Sequence, residues 1–432
     1  MKGNILREDL NNIGTSGNIT ERVSFTNQKF KEIFGRASTF VASAPGRVNL
    51  IGEHTDYNDG YVFPVAIDKY LNIAARKRSD RRVRLHALDV NDSYEFCLDA
   101  LAAIQQEAPA WCHYLVGVAS LLQASGKKVS GIDAIITGDV PIGAGLSSSA
   151  ALSVSTALAF LTPSSPSETS EKVPQSEIDS KELAALCQRV EHEFVGVNCG
   201  IMDQTISLLG RENQALFLDC RSLEHEHVPL NLTTHCIAIC NTKVKRELAA
   251  SEYNKRRAEC ERGVAILKKW LPNLSSLRDI TLTDFKKHEE ELPARTQKRC
   301  RYVIEENTRV LDAVAVLKAR HPQMETQETD ESLIQFGRLM NASHNGLRDD
   351  YEVSCSELDL LTDIARSITG VIGSRMTGAG FGGCTVNIVH RDVLETFQTL
   401  VMTEYHKHTG IEPEIYLCNV SDGARVFWNS DL

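Results

Sequence analysis

Residues 44–60, Ala44-Pro45-Gly46-Arg47-Val48-Asn49-Leu50-Ile51-Gly52-Glu53-His54-Thr55-Asp56-Tyr57-Asn58-Asp59-Gly60, gather one guanidinium, three carboxylates, one imidazole and several hinge glycines around a short apolar run. Such a segment can surround a small polyhydroxylated ligand with hydrogen-bonding groups. Two later segments give it a counterpart: Pro141-Ile142-Gly143-Ala144-Gly145-Leu146-Ser147-Ser148-Ser149-Ala150 and Gly378-Ala379-Gly380-Phe381-Gly382-Gly383. Together the three suggest a sugar site meeting a phosphate site.

In the second segment, Gly143 and Gly145 let backbone approach a ligand, and Ser147, Ser148 and Ser149 stand where a helix over 147–160 is predicted to begin. Unpaired amides and the positive end of a helix dipole can hold a polyphosphate without a lysine. No Gly-Lys-Ser/Thr follows, so this is not a Walker A loop. On this loop alone, a plain serine-capped helix is an equal reading. The third segment matches Gly-x-Gly-x-x-Gly at 378, 380 and 383, but residues 385–389 alternate like a strand, whereas a dinucleotide turn must open a helix. It reads instead as backbone yielding space to a ligand or to the serine loop, or as a tight turn. Cys199-Gly200-Ile201-Met202-Asp203-Gln204 places an aspartate in an otherwise apolar helix. Alone, Asp203 is a cap or a salt-bridged core residue. With Arg47 as partner it becomes a charged carboxylate able to orient a sugar hydroxyl toward a phosphate.

A chain of 432 residues exceeds what one hydrophobic core usually holds, so two domains with a cleft are expected. The net charge of −10 argues against a nucleic-acid binder, and the basic clusters 76–84 and 295–301 read as solvated faces. No signal-peptide h-region opens the chain and no apolar run reaches membrane length, so a cytoplasmic protein is expected, with no membrane partner. Twelve cysteines without a Cys-x-x-Cys pair read as buried reduced thiols.

The first thirty residues read as a frayed extension before an amphipathic helix ending at 30–34. Strands are predicted over 62–67, 72–77, 82–87, 132–137, 385–389 and 414–420, with Pro64 demoting the first to an edge. Helices are predicted over 182–193, 251–271 and 295–320, the last burying Val303, Val310, Leu311, Val314 and Leu317. The Pro/Ser/acid-rich stretch 162–180 reads as an exposed loop.

The three segments, in this order, closely resemble the galactokinases of the GHMP kinase superfamily, from about residue 29 to residue 428. The run Pro45 to Tyr57 carries most of the specificity. The resemblance implies an α+β, two-domain fold: an N-terminal mixed sheet with helices and a C-terminal ferredoxin-like α/β sandwich, with the active site in the cleft between them. The division drawn is 1–28 as an extension, 29–200 as the sugar- and ATP-binding domain, and 201–432 as the C-terminal domain. It also implies ATP-dependent phosphorylation of α-D-galactose at C1, with Mg²⁺ accompanying ATP.

Carried over residue by residue, Asp203 is implied as the catalytic carboxylate and Arg47 as the group that orients it and stabilises the transferring phosphoryl. Glu53 and His54 are implied at the C6 hydroxyl, Asp56 at the C3 and C4 hydroxyls, Gly200 as backbone against the sugar, and Tyr253 at the axial C4 hydroxyl. The triphosphate is implied on Gly143, Gly145, Leu146, Ser147, Ser148 and Ser149, with Ser149 and Glu191 as Mg²⁺ ligands. Trp111 and Tyr114 resemble an aromatic wall near adenine, with core packing as the alternative. Lys245 stands where some relatives have arginine. Galactose and ATP are the implied partners, and a monomer or weak dimer is expected. An N-acetylgalactosamine kinase and a non-catalytic galactose sensor share the scaffold. The intact serine loop disfavours the sensor, and residues 55–58 and 199–203 fit the galactose enzymes better.

Overall fold

The computed structural model describes residues 19–104, 107–165, 179–244, 249–319 and 327–429. In chain order its strands are β1 (Phe40–Asn49), β2 (Tyr61–Val62), β3 (Pro64–Lys77), β4 (Arg82–Ala87), β5 (Asp92–Cys97), β6 (Ile132–Gly138), β7 (Gln214–Asp219), β8 (His225–Pro229), β9 (His235–Asn241), β10 (Val371–Thr377), β11 (Cys384–His390), β12 (Glu414–Cys418) and β13 (Arg425–Trp428).

The decisive segment begins as a strand. β1 is buried at every position and lies inside a six-stranded sheet of order β13-β1-β3-β6-β4-β5. The pairing of β4 with β6 is parallel and the others are antiparallel, which makes the sheet mixed. The pairing of β1 with β3 shifts register between Pro45 and Arg47. Such an irregularity bends a strand and re-aims the side chain that follows. Gly46 is required there because a Cβ would stand 2.7 Å from the Leu146 carbonyl oxygen.

One face of this sheet packs on the helices Cys112–Ala124, Ser148–Leu161 and Ser180–Val190, with Phe40, Ile73, Leu115, Leu158 and Leu186 in a shared core. The other face is covered by the helix Ile19–Phe34 through Val23 and Phe30. The amphipathic helix anticipated at 30–34 therefore begins at Ile19 and is built into the domain, while residues 1–18 of the expected extension lie outside the described residues.

The second sheet, β10-β11-β9-β12, is antiparallel. Alternation along β9 sends Ile237 and Ile239 to one core with Val310, Val314, Phe336 and Met340. Ala238 and Cys240 go to the other, with Leu361, Phe397 and Val401. Helices Ala294–Lys318 and Gln327–Asp349 thus cover one face, and Ser356–Ser367 and Leu394–Thr409 the other. A third sheet, β2-β7-β8, sits beside them. β13 returns from the C-terminal half to pair with β1, so this strand belongs to the first sheet although it falls within 201–432.

Several expectations are corrected. Residues 62–67 and 72–77 are not two strands: β3 runs unbroken from Pro64 through the centre of the sheet, and Pro64 is tolerated as its first residue, opposite Asn49, rather than at an edge. Leu311 is 44% exposed and outside the core that takes Val303, Val310, Val314 and Leu317. The basic clusters are not simply solvated: Asp133, fully buried, binds Arg36, Arg78 and Arg84, and Arg299, only 1% exposed, pairs with Glu259 and Glu352. The helix expected over 182–193 ends at Val190 and continues as a π turn, Glu191–Val195. Residues 166–178 of the polar loop lie outside the described residues. All twelve cysteines are free thiols, and none is exposed. No helix among the described residues is long and apolar enough to cross a membrane.

Candidate active site

The end of β1, the serine loop, the start of the helix Met202–Leu209 and the glycine turn before β11 converge on one open cavity of about 810 Å³. Its lining includes Arg47, Glu53, His54, Asp56, Tyr114, Gly143, Gly145, Ser147, Ser148, Ser149, Glu191, Gly200, Asp203 and Tyr253.

Arg47 and Asp203, 156 residues apart, form a bidentate pair: Nε donates to Oδ1 and Nη2 to Oδ2, both at 2.7 Å. The planar fork matches the carboxylate in a way a lysine could not. Nη1 of Arg47 donates to the Gly145 carbonyl at 2.8 Å, and the Ser147 hydroxyl donates to Asp203 Oδ2. Arg47 is 5% exposed. Burial pushes its guanidinium down, but the charges of Asp203, Glu53 and Asp56 push it up by more, so it stays cationic. Asp203 sits in the first turn of its helix, where the dipole favours a negative charge.

The serine loop is a sequence of left-handed turns, with φ of +75° at Gly143, +84° at Gly145 and +60° at Ser147. Ser147 precedes the helix Ser148–Leu161 but makes no side-chain cap: its backbone is left-handed rather than extended, and its hydroxyl is turned to Asp203. The first-turn amides are thereby left to an anion in the cavity. The glycine turn lies directly over this loop: at Gly378, φ +83°, a Cβ would stand 3.1 Å from the Gly145 oxygen. That is the close approach the sequence suggested, and β11 follows as the expected strand.

Glu191 is turned inward at the start of the π turn. Such turns often mark functional sites. Its Oε1 accepts the Ser149 hydroxyl at 3.2 Å and the Gln204 amide at 3.0 Å. Burial, with the charge of Asp203, raises its carboxyl to about 7. Burial and the same Asp203 charge also raise Asp56 to about 7. Gly200 lies against Asp56 so closely that a Cβ would fall 1.8 Å from Oδ2. His54, in left-handed backbone at φ +62°, bonds through Nδ1 to the Tyr57 hydroxyl at 2.8 Å, and Tyr57 to the Tyr351 hydroxyl at 2.8 Å. Burial holds its imidazole down at about 3, hence neutral. Tyr253 packs on both rings, 5.4 Å from His54 and 4.9 Å from Tyr57.

Glu53 lines the cavity with both oxygens engaged: Oε2 accepts from Asn49 Nδ2 at 2.8 Å and pairs with Arg375 at 2.6 Å, and Oε1 accepts from Thr377 at 3.0 Å and the Gly378 amide at 2.8 Å. Arg375, Thr377 and Gln204 carried no expectation, and only Gln204, beside Asp203, offered a sequence signal. Two expected residues stand apart. Trp111 does not line the cavity; its indole donates to Asp92 at 2.9 Å and its ring packs on the N-terminal core, the alternative left open for it. The Leu146 side chain is in the core, and only its backbone carbonyl serves the site, accepting the Arg47 amide at 3.1 Å. Lys245 lies outside the described residues.

Residues 28–77 match the galactokinase galactose-binding signature, 113–211 the GHMP kinases N-terminal domain, and 325–399 the GHMP kinases C-terminal domain. A curated galactokinase of Roseiflexus sp. (strain RS-1) is 45% identical over 404 residues, covering 93% of this chain and 97% of the relative. The chain belongs to the galactokinase family. A family relative from Exiguobacterium sibiricum is 41% identical over 92% of this chain and 96% of its own. Among solved structures, Lactococcus lactis galactokinase complexed with galactose superposes with a TM-score of 0.82 at 34% identity, covering 93% of this chain and 98% of that one. Methanococcus jannaschii mevalonate kinase, at 19% identity and a TM-score of 0.59, shares the fold. The galactokinase signature spans the end of the helix Ile19–Phe34, all of β1, the loop bearing Glu53, His54 and Asp56, and β3.

Proposed function

We propose that the protein transfers the terminal phosphoryl group of ATP to the C1 hydroxyl of α-D-galactose, giving α-D-galactose 1-phosphate and ADP, and that Arg47 and Asp203 are its central residues. The observation that carries this reading is the bidentate pair, placed where the serine loop meets the pocket of Asp56, His54, Gly200 and Tyr253.

Phosphoryl transfer proceeds through a loose transition state, so positioning and charge stabilisation outweigh proton removal. Asp203 orients the C1 hydroxyl and accepts its proton late, as the oxygen bonds to phosphorus. Arg47 holds Asp203 in place and offers positive charge to the transferring group. The first-turn amides of the helix Ser148–Leu161 bind the phosphates. Asp56 takes the C3 and C4 hydroxyls, Gly200 backs the ring, Tyr253 reaches the axial C4 hydroxyl, and Glu53 with His54 flanks C6. Glu191 and Ser149, a carboxylate and a hydroxyl 3.2 Å apart, are the hard oxygens that suit a magnesium ion retaining most of its waters, and they would hold it. A magnesium ion held by these two residues would supply positive charge to offset that of the phosphates. Tyr114, rather than Trp111, is proposed for the nucleotide wall.

A coupled ADP-release assay with galactose, glucose and N-acetylgalactosamine tests the assignment. Galactose should be turned over far faster than its epimer, because a wrong C4 hydroxyl leaves buried groups unpaired. Turnover led by N-acetylgalactosamine, or none with any sugar, would reject it.

Gly200→Ala should lower kcat/KM for galactose by about 10-fold or more, since its methyl group overlaps Asp56, while leaving the KM for ATP near its original value. Steady-state kinetics with each substrate varied in turn checks both halves.

The pH dependence follows from Asp56. Its folded carboxyl is raised from 3.8 to about 7, so the ligand-free protein favours the neutral form and loses stability as pH rises from about 4 to 7. Sugar hydroxyls donate to the ionised form, whose share grows about tenfold between pH 6 and pH 8. Galactose binding, followed by calorimetry, should tighten by about that factor over this interval, and Asp56→Asn should flatten the profile.

A further inference from the structure

The helix Ala294–Lys318 carries none of the motifs, and Val303, Val310, Val314 and Leu317 account for its packing. Several polar side chains on it are nevertheless buried, among them Tyr302, Glu306 and Asn307. All three reach the short loop between β1 and β2. The Tyr302 hydroxyl donates to the Glu53 carbonyl at 2.9 Å, Glu306 Oε1 accepts the Gly52 amide at 2.8 Å, and Asn307 Oδ1 accepts the Tyr61 amide at 2.8 Å. Tyr302 and Glu306, four positions apart, lie on one helix face, and Asn307 follows at the next position.

The loop is shaped to receive them. A Cβ on Gly52 would stand 2.9 Å from Val310 Cγ2, and one on Gly60 would stand 2.4 Å from Asn307 Oδ1. Inside the loop, Thr55 Oγ1 lies 2.7 and 2.6 Å from the carbonyl oxygens of Gly52 and Tyr61, between which its single proton is shared, closing the two ends on each other. Glu306 is itself fixed by the Ser343 hydroxyl at 2.5 Å and by Arg309 Nε at 2.6 Å. Between the two anchored ends stand Glu53, His54 and Asp56, all facing the cavity.

We infer that Tyr302, Glu306 and Asn307 are positioning residues for galactose recognition: they set the backbone from which Glu53, His54 and Asp56 approach the sugar. This rests on the reading that those three contact galactose. Packing alone would be served by apolar residues at these positions, without the desolvation that a buried carboxylate, amide and phenol incur. In return, the backbone of the sugar loop has a single place to sit.

Tyr302→Phe removes one oxygen and keeps the ring, and Asn307→Ala removes the acceptor for Tyr61. Each is expected to raise the KM for galactose about 5- to 50-fold, the range of one lost buried hydrogen bond, with the KM for ATP changed by less than about twofold. Asn307→Asp, which keeps an acceptor oxygen at that place, should recover much of the loss. Galactose KM values unmoved in Tyr302→Phe and Asn307→Ala, with only the melting temperature lowered, would make the helix a packing element and overturn the inference. The parent protein is assayed alongside. Absence of galactose-dependent ADP release from it would overturn the functional reading and this inference together, whereas an active parent with unmoved variants overturns this inference alone.

Discussion

Asp203→Asn is expected to lower kcat by about 10²- to 10⁴-fold, the range a positioned general base contributes, while the protein still folds, with some stability lost because the buried Arg47 guanidinium loses its counter-charge. The amide keeps the size of the carboxylate and retains one acceptor for the Ser147 hydroxyl or for Arg47, so the cavity should keep its shape. What it loses is the negative charge opposite the guanidinium and the ability to take the C1 proton. The KM for ATP should change little if, as proposed, the nucleotide rests on the backbone amides of the serine loop. Single-turnover ADP release with saturating galactose measures the step directly. A rate near that of the parent would mean that the carboxylate neither accepts the proton nor stabilises charge.

Arg47→Met is expected to cost about 10²- to 10³-fold in kcat and some stability as well. The substitution keeps much of the buried stem but removes three bonds at once: two to Asp203 and one to the Gly145 carbonyl. Asp203, half-buried, would then lack its counter-charge, and breaking a buried pair from one side is more damaging than replacing both partners. Arg47→Lys should recover little, since an ammonium cannot span both carboxylate oxygens and the Gly145 carbonyl together. Loss of kcat with the galactose KM intact would place Arg47 in the transition state, and equal activity of the lysine variant would contradict that role.

The three motifs were legible in the sequence because each concentrates side chains that packing alone does not ask for. Arg47, Asp203, Asp56 and the serine run all line one cavity. The strand that carries Arg47 was not legible. Pro45 and Gly46 are residues that ordinarily break strands, and they are tolerated here only because the register shifts between Pro45 and Arg47 and the Leu146 carbonyl crowds Gly46. Pro64 misled in the same way, since a proline opening a central strand and a proline at an edge look alike without the partner strand. Trp111 was open between two readings: at the N-cap of the helix that carries Tyr114, its indole donates to Asp92 and it does not line the cavity, a choice made by tertiary packing. The polar residues of the helix Ala294–Lys318 resemble a solvated charged face, and only the glycines at 52 and 60 hinted that another element presses against that loop.

The central claim, that the Arg47–Asp203 pair points the anomeric oxygen of galactose at the terminal phosphate of ATP, is tested most directly by phosphorus NMR of the product formed from purified protein, Mg²⁺-ATP and galactose. The account predicts a single sugar phosphate bearing its phosphorus on C1 in the α configuration, one per ADP released. Phosphate on another hydroxyl, or inorganic phosphate in place of a sugar phosphate, would contradict it.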